Sequence, residues 1–220
     1  FYDRVCYAKE SWAVGPHQSI NYAESHDNLT LWDKLLATSG HEEEAELIKM
    51  HKLTLAILLT AQGIPFLHAG MDFLRTKHGD HNSYRSPDWV NALDWGRKAV
   101  YQDVFRYCQG LIHLRKSHPA FRLTSAEEIQ KHLLFLDMPR DRMGGFSLGE
   151  HAGGDPWRKI VVLLNANTEA QLVQLPERDW IVVVNGQQAG TEALREWHDV
   201  QVAVPARTAL VLVDEESFGR

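Results

Sequence analysis

Hydrophobic and polar positions follow two rhythms along the 220 residues, and the change falls near Leu123. In the first half, short apolar runs alternate with helical stripes, the pattern of strand–helix–strand units around a parallel sheet. Ile20 to Glu24, after Pro16, reads as a short strand, and a short helical stretch follows at Leu29 to Ala37. A longer helix is expected from about Glu42 to Ala61, with Ser39 and Glu42 at capping-box spacing. Its inner face carries Leu47, Met50, Leu53 or Thr54, Ile57 and Ala61, and Leu55 to Leu59 is apolar nearly all round, which puts that end between layers. Gly63 stops the helix, and Ile64-Pro65-Phe66-Leu67-His68-Ala69 is expected as a buried strand. Met71 to Trp95 has no periodicity. A loop of that length in a compact domain is usually functional or disordered, and Tyr84, Trp89 and Trp95 argue against disorder. A third helix carries Val100, Val104, Tyr107, Leu111 and Leu114 on one stripe and ends at Pro119.

After Leu123 the pattern is all β. Seven short strands are expected at Leu133–Leu136, Phe146–Leu148, Ile160–Leu164, Gln171–Leu175, Trp180–Asn185, Val200–Val204 and Thr208–Val213. Turn residues separate them, including Gly144-Gly145, Gly153-Gly154-Asp155-Pro156 and Asn185-Gly186. Seven strands in under a hundred residues suggest an antiparallel sandwich. The organisation is therefore α/β in residues 1–123 and all-β in 124–220.

Composition narrows the function. With 23 basic and 29 acidic residues the formal charge is −6, and no basic run tracks a phosphate backbone, so nucleic acid is not an expected partner. The longest apolar stretch, Leu53 to Ala61, falls far short of the roughly 20 residues a membrane span needs. Phe1-Tyr2-Asp3-Arg4 has neither an initiator Met nor the order of a secretory signal, and reads as a cut and not a start. Cys6 and Cys108 support neither a disulfide framework nor thiolate zinc, which leaves the compartment open. A whole (β/α)8 barrel needs about 250 residues and does not fit.

The candidate chemistry sits at two strand ends. Glu24-Ser25-His26-Asp27-Asn28 follows the first strand, and the long polar loop follows the second, so both open where parallel α/β folds bind ligands. Asp27 and Asn28 are equally suited to capping the next helix, and that reading stands beside the catalytic one. The loop Phe73 to Tyr84 mixes Arg, Asp, Asn and an aromatic ring, which suits sugar hydroxyls and pyranose faces. His78, Asp80 and His81 form a weaker metal alternative without helical ligand spacing. His41 to Glu46 reads as a solvated acidic first turn, and Trp180 and Trp197 as core.

The run Ile20-Asn21-Tyr22-Ala23-Glu24-Ser25-His26-Asp27-Asn28-Leu29-Thr30-Leu31-Trp32-Asp33-Lys34-Leu35 resembles the fourth signature region of type I pullulanases, starch-debranching members of glycoside hydrolase family 13. Gly63 to Gly70, Phe73-Leu74-Arg75-Thr76-Lys77 and Asn82 to Asp88 resemble that family's last barrel strand and following loop. Gly110 to Arg122 resembles its final barrel helix, and Val204 to Leu212 the closing strand of its C-terminal sandwich.

The resemblance implies the C-terminal part of a (β/α)8 barrel, its last two βα units, followed by an antiparallel β-sandwich. It implies an enzyme that hydrolyses α-1,6 branch linkages in pullulan, glycogen and starch dextrins with retention, using two carboxyls that lie upstream of this chain. Asp27 would be the family's third carboxylate on the glucosyl unit at the cleaved bond, and His26 would donate to the same sugar. Asn28, Arg75, Asp80, Asn82 and Tyr84 would bind substrate nearby. No cofactor is implied here; a calcium ion would belong to the full-length enzyme. Partners would be the α-glucan and the missing part of the barrel, with self-association through open barrel edges. The chain alone would be inactive. A stand-alone carbohydrate-binding or protein-interaction sandwich is the alternative.

Overall fold

The computed structural model describes residues 13–219, so the readings of Phe1 to Arg4 and of Cys6 lie outside the described residues. Strands β1 (Ile20–Asn21) and β2 (Ile64–Pro65) pair in parallel, with Ile20 opposite Ile64. Helices α1 (Leu31–Ser39) and α2 (Glu44–Thr60) connect them. Each strand is only two residues long, and the expected buried strand to Ala69 is not formed. The apolar run is present, but each strand has a single neighbour among the described residues, so Ile20 is 60% and Ile64 45% exposed, with Tyr22 and Phe66 open beside them.

The capping box expected at Ser39 does not form either. Ser39 ends α1, its carbonyl accepts the Glu42 N–H at 2.9 Å, and α2 starts behind Glu43 without a side-chain cap. Leu47, Leu53, Leu55, Ala56, Leu58 and Leu59 are buried, whereas Ile57 is 42% exposed. Two short 3-10 turns (Met71–Phe73 and Ser83–Arg85) and α3 (Asp88–Asn91) give the long loop local structure. The third expected helix is two: α4 (Gly96–Val100) and α5 (Gln102–Ser117) break at Tyr101, which turns Val100 outward while Val104, Tyr107, Leu111 and Leu114 stay inside.

Helix α6 (Ala126–His132) is capped by Ser125, whose hydroxyl accepts the Glu128 N–H at 3.1 Å. Eight strands follow. Six form an antiparallel sheet in the spatial order β3 (Leu133–Phe135), β4 (Met143–Leu148), β5 (Ile160–Asn165), β10 (Thr208–Asp214), β7 (Trp180–Val184) and β8 (Arg195–Trp197). Strands β6 (Gln171–Gln174) and β9 (Gln201–Val204) pair as a second, two-stranded antiparallel sheet. Strand β8 escapes the sequence pattern because only one of its three residues is apolar.

Both faces of the central strands are covered, which explains their unbroken Val, Leu and Ile runs. Ile160, Val162, Ile181, Val183, Val211 and Val213 join the core built on α2 and α5. Val161, Leu163, Val182, Leu210 and Leu212 pack with Val173, Val202 and Val204 of the small sheet. The first of these cores runs continuously across residue 123. Arg207, 4% exposed, fixes the same junction: Nη1 donates to Glu46 Oε2 at 2.9 Å and Nη2 donates to Glu42. The acidic turn read as solvated is therefore in part the docking point of an arginine from the loop before β10. Arg115 adds a second tie, donating to the carbonyls of Leu59, Ala61 and Gly63 at 3.0, 2.6 and 2.7 Å. It thereby satisfies acceptors that the end of α2 leaves open.

Candidate functional site

Residues 22–29 leave the C-terminal end of β1 and turn into α1. The helix cap is Thr30, whose hydroxyl accepts the Asp33 N–H at 3.1 Å, so Asp27 and Asn28 do not cap it. His26, Asp27 and Asn28 instead stand exposed on the turn, with His26 Nε2 3.6 Å from Asp27 Oδ1. Asn28 has φ of 62°, a left-handed conformation that asparagine tolerates better than most residues. Asp27 and Asn28 line a cleft of about 480 Å³ together with Tyr22, Glu24, Lys34 and His81.

Beneath the turn lies a buried polar network. Glu24, 4% exposed, accepts the Leu31 N–H on Oε2, and its Oε1 is 3.1 Å from His68 Nδ1. Arg75 Nη1 donates to His68 Nε2 at 3.2 Å, and Nη2 donates to the Asn91 carbonyl at 2.7 Å. Arg75 donates on one side of the His68 ring, so the other ring nitrogen carries the proton toward Glu24. Burial pushes the Glu24 carboxyl up to about 7, against the Leu31 N–H and the Arg75 charge. Burial and the Arg75 charge hold His68 below the ordinary histidine range. Lys77, 1% exposed, donates from Nζ to the His26 carbonyl at 3.0 Å. Asp33 in turn holds the Lys77 N–H at 2.7 Å and the Thr76 hydroxyl.

The structure brings His26, Asp27 and Asn28 together and connects Arg75 to them only from below, through His68 and Glu24. Arg75 borders a separate recess with His78, Trp89 and Arg97. Asp80 closes a local turn, accepting from the Ser86 hydroxyl and, at 2.9 Å, from the Asn82 N–H; the Ser86 bond, then the Asn82 bond, holds its carboxyl below the usual range. Asn82 and Tyr84 are exposed on that loop, with the Arg85 guanidinium 5.1 Å from the Tyr84 ring. His78, Asp80 and His81 do not converge on one point; among the described residues, the group able to do so is Asp179, His198 and Glu215, all exposed. Trp180 is buried with Nε1 on the Glu177 carbonyl, and Trp197 is half-buried with Nε1 on that of Gln201, as core residues would be.

Sequence reasoning missed Lys77, His68 and Asp33. Glu24 had a signal, a lone carboxylate closing an apolar run. Lys77 had none, because a basic residue in a polar loop looks solvated until the fold buries it.

A family model for the pullulanase all-β domain matches residues 129–188. The Bacillus subtilis pullulanase is 43% identical over 161 residues, which cover 73% of this chain and 22% of that protein. The solved pullulanase from Bacillus acidopullulyticus superposes with a TM-score of 0.91 at 42% identity, over 96% of this chain and 26% of that one. The Paenibacillus barengoltzii pullulanase, solved in complex with maltohexaose and α-cyclodextrin, is 44% identical at a TM-score of 0.83, over 96% of this chain and 32% of that one. With sequence and fold agreeing over nearly its whole length, the chain is a pullulanase homologue that spans about a quarter of the length of these relatives.

Proposed function

We propose that this chain is the C-terminal share of a pullulanase-type glycosidase that cleaves α-1,6 linkages in α-glucans with retention. Residues 1–123 would close a catalytic (β/α)8 barrel with its last two βα units, and residues 124–220 would form a C-terminal β-sandwich. The single observation that carries this reading is the exposed His26–Asp27 pair at the carboxyl end of a parallel strand pair whose outer edges are apolar and, among the described residues, unpaired. Such a pair belongs to a larger parallel sheet, and its carboxyl end is where barrels bind substrate. Relatives solved with maltohexaose or maltotetraose support an α-glucan as the ligand.

Retaining hydrolysis needs a nucleophile and a proton donor about 5 to 5.5 Å apart around an oxocarbenium-like transition state. In this reading both come from outside these residues. Asp27 binds hydroxyls of the glucosyl unit at the cleaved bond, and His26 donates to the same unit, interactions that strengthen as the ring flattens. Asn28, Arg75, Asp80, Asn82 and Tyr84 flank the neighbouring units. The open edges bind the remainder of the barrel, or a second copy when that remainder is absent.

Pullulan hydrolysis tests the assignment. In the polypeptide that contains the whole barrel, Asp27→Asn lowers kcat by roughly 10²-fold or more, the scale of losing one transition-state hydrogen-bonding group. The 220-residue chain alone releases no maltotriose. Full activity of the Asp27→Asn variant, or maltotriose released by the isolated chain, overturns the reading.

A further inference from the structure

The exposed turn that carries His26 and Asp27 lacks the support that usually fixes a functional loop. Residues 22–29 make no backbone-to-backbone hydrogen bond to another described residue as donors, and the bonds on either side belong to Asn21 and Thr30. The His26 and Asp27 side chains face solvent, 86% and 75% exposed, and their contact is with each other. Something else must hold the turn, and two buried ionisable groups reach it. Lys77 Nζ donates to the His26 carbonyl at 3.0 Å, and Glu24 Oε2 accepts the Leu31 N–H where the turn enters α1.

We propose that Lys77 and Glu24 are positioning residues that clamp the His26–Asp27 turn from beneath. The inference rests on the proposed role of His26 and Asp27 in sugar binding, but the clamp itself is a property of this chain. Both Glu24 oxygens face donors, the Leu31 N–H and the His68 ring N–H, whose other nitrogen is occupied by Arg75. Glu24 therefore ties the end of the turn, at Leu31, to His68 after β2, while Lys77 holds its middle at His26.

Hydrogen–deuterium exchange read by mass spectrometry on the intact polypeptide that contains this chain tests the clamp without reference to catalysis. In Lys77→Met, exchange of a peptide covering residues 22–31 rises at least tenfold while peptides from α2 and β10 keep their protection. In Glu24→Ala, which removes the acceptor of the Leu31 N–H and of the His68 ring, exchange of the same peptide rises severalfold. If Lys77→Met unfolds the whole polypeptide, the exchange of Glu24→Ala still decides. Exchange that is unchanged in Lys77→Met or in Glu24→Ala with the fold intact overturns the clamp. On pullulan, Lys77→Met lowers kcat at least tenfold with a smaller change in KM, and Lys77→Arg restores part of it. Absence of hydrolysis by the unaltered polypeptide refutes the proposed function and leaves the exchange result standing.

Discussion

His51 and Glu24 show how single buried groups set the chain's response to pH. His51 is fully buried on α2, its Nε2 2.7 Å from the Met71 carbonyl, while its Nδ1 has no hydrogen-bond partner among the described residues. Burial lowers its pKa from 6.5 to about 4. A base depressed in this way stabilises the fold fully above pH 6.5 and loses that contribution as pH falls through 4, on the order of 3 kcal/mol in all. Glu24 has the opposite sign. Its pKa is raised from 4.5 to about 7, so its contribution is fully present below pH 4.5 and lost as pH rises through 7. Between pH 4.5 and 6.5 the two slopes oppose each other, and thermal unfolding of the unaltered chain should depend weakly on pH. In His51→Gln the amide keeps a donor for the Met71 carbonyl and removes the titration. Its Tm relative to the unaltered chain therefore rises as pH is lowered from 6.5 to 4; a constant difference across that range counts against the assignment.

Between elements, the decisive contacts are close approaches and buried ties. Gly110 lies in the middle of α5, where alanine would gain about 1 kcal/mol in helix propensity. A Cβ there would stand 1.9 Å from the Ala189 carbonyl oxygen, in the turn after β7. That atom is backbone, so the clash moves the helix or the turn and costs more than the propensity returns, about 1–3 kcal/mol. Gly110→Ala thus lowers the urea midpoint, and a midpoint at or above that of the unaltered chain shows that the turn yields freely. Much at this scale was legible in the sequence. The stripe of α5 and the strands β5, β7 and β10 follow from periodicity, because their neighbours bury them on the sides the pattern indicates. Ile57, Val100 and the run to Ala69 were misread, since an apolar residue is covered only where another element arrives. Strand β8 was missed for the converse reason: its place comes from pairing Ile181 with Glu196, not from its own apolar pattern.

For the whole molecule, the open edges of β1 and β2 matter most. A two-stranded parallel sheet with Ile20, Tyr22, Ile64 and Phe66 exposed offers backbone groups that are unpaired among the described residues, beside apolar side chains. Edges of this kind associate unless charge or cover prevents it. Light scattering of the 220-residue chain should therefore report concentration-dependent association, and Ile64→Lys with Phe66→Glu should reduce it. A clean monomer with cooperative unfolding excludes association through these edges. The central strands of the six-stranded sheet differ: they are paired on both sides and covered by helices on one face and by β6 and β9 on the other.

By itself the sequence determined the alternation of strand and helix before residue 123, the all-β character after it, and the grouping of His26, Asp27 and Asn28 at a strand end. Local periodicity and residue type suffice for these, because each is a property of neighbours along the chain. Only the tertiary structure decided that Thr30 caps α1 in place of Asp27 or Asn28, and that Arg75 reaches the site from beneath. It alone buried Lys77 under His26 and joined Arg207 to Glu42 and Glu46. Those are contacts between residues as many as 165 positions apart. A charged side chain shows in its own sequence whether it can form a hydrogen bond, but whether it is buried, and with whom, depends on what the rest of the chain brings to it.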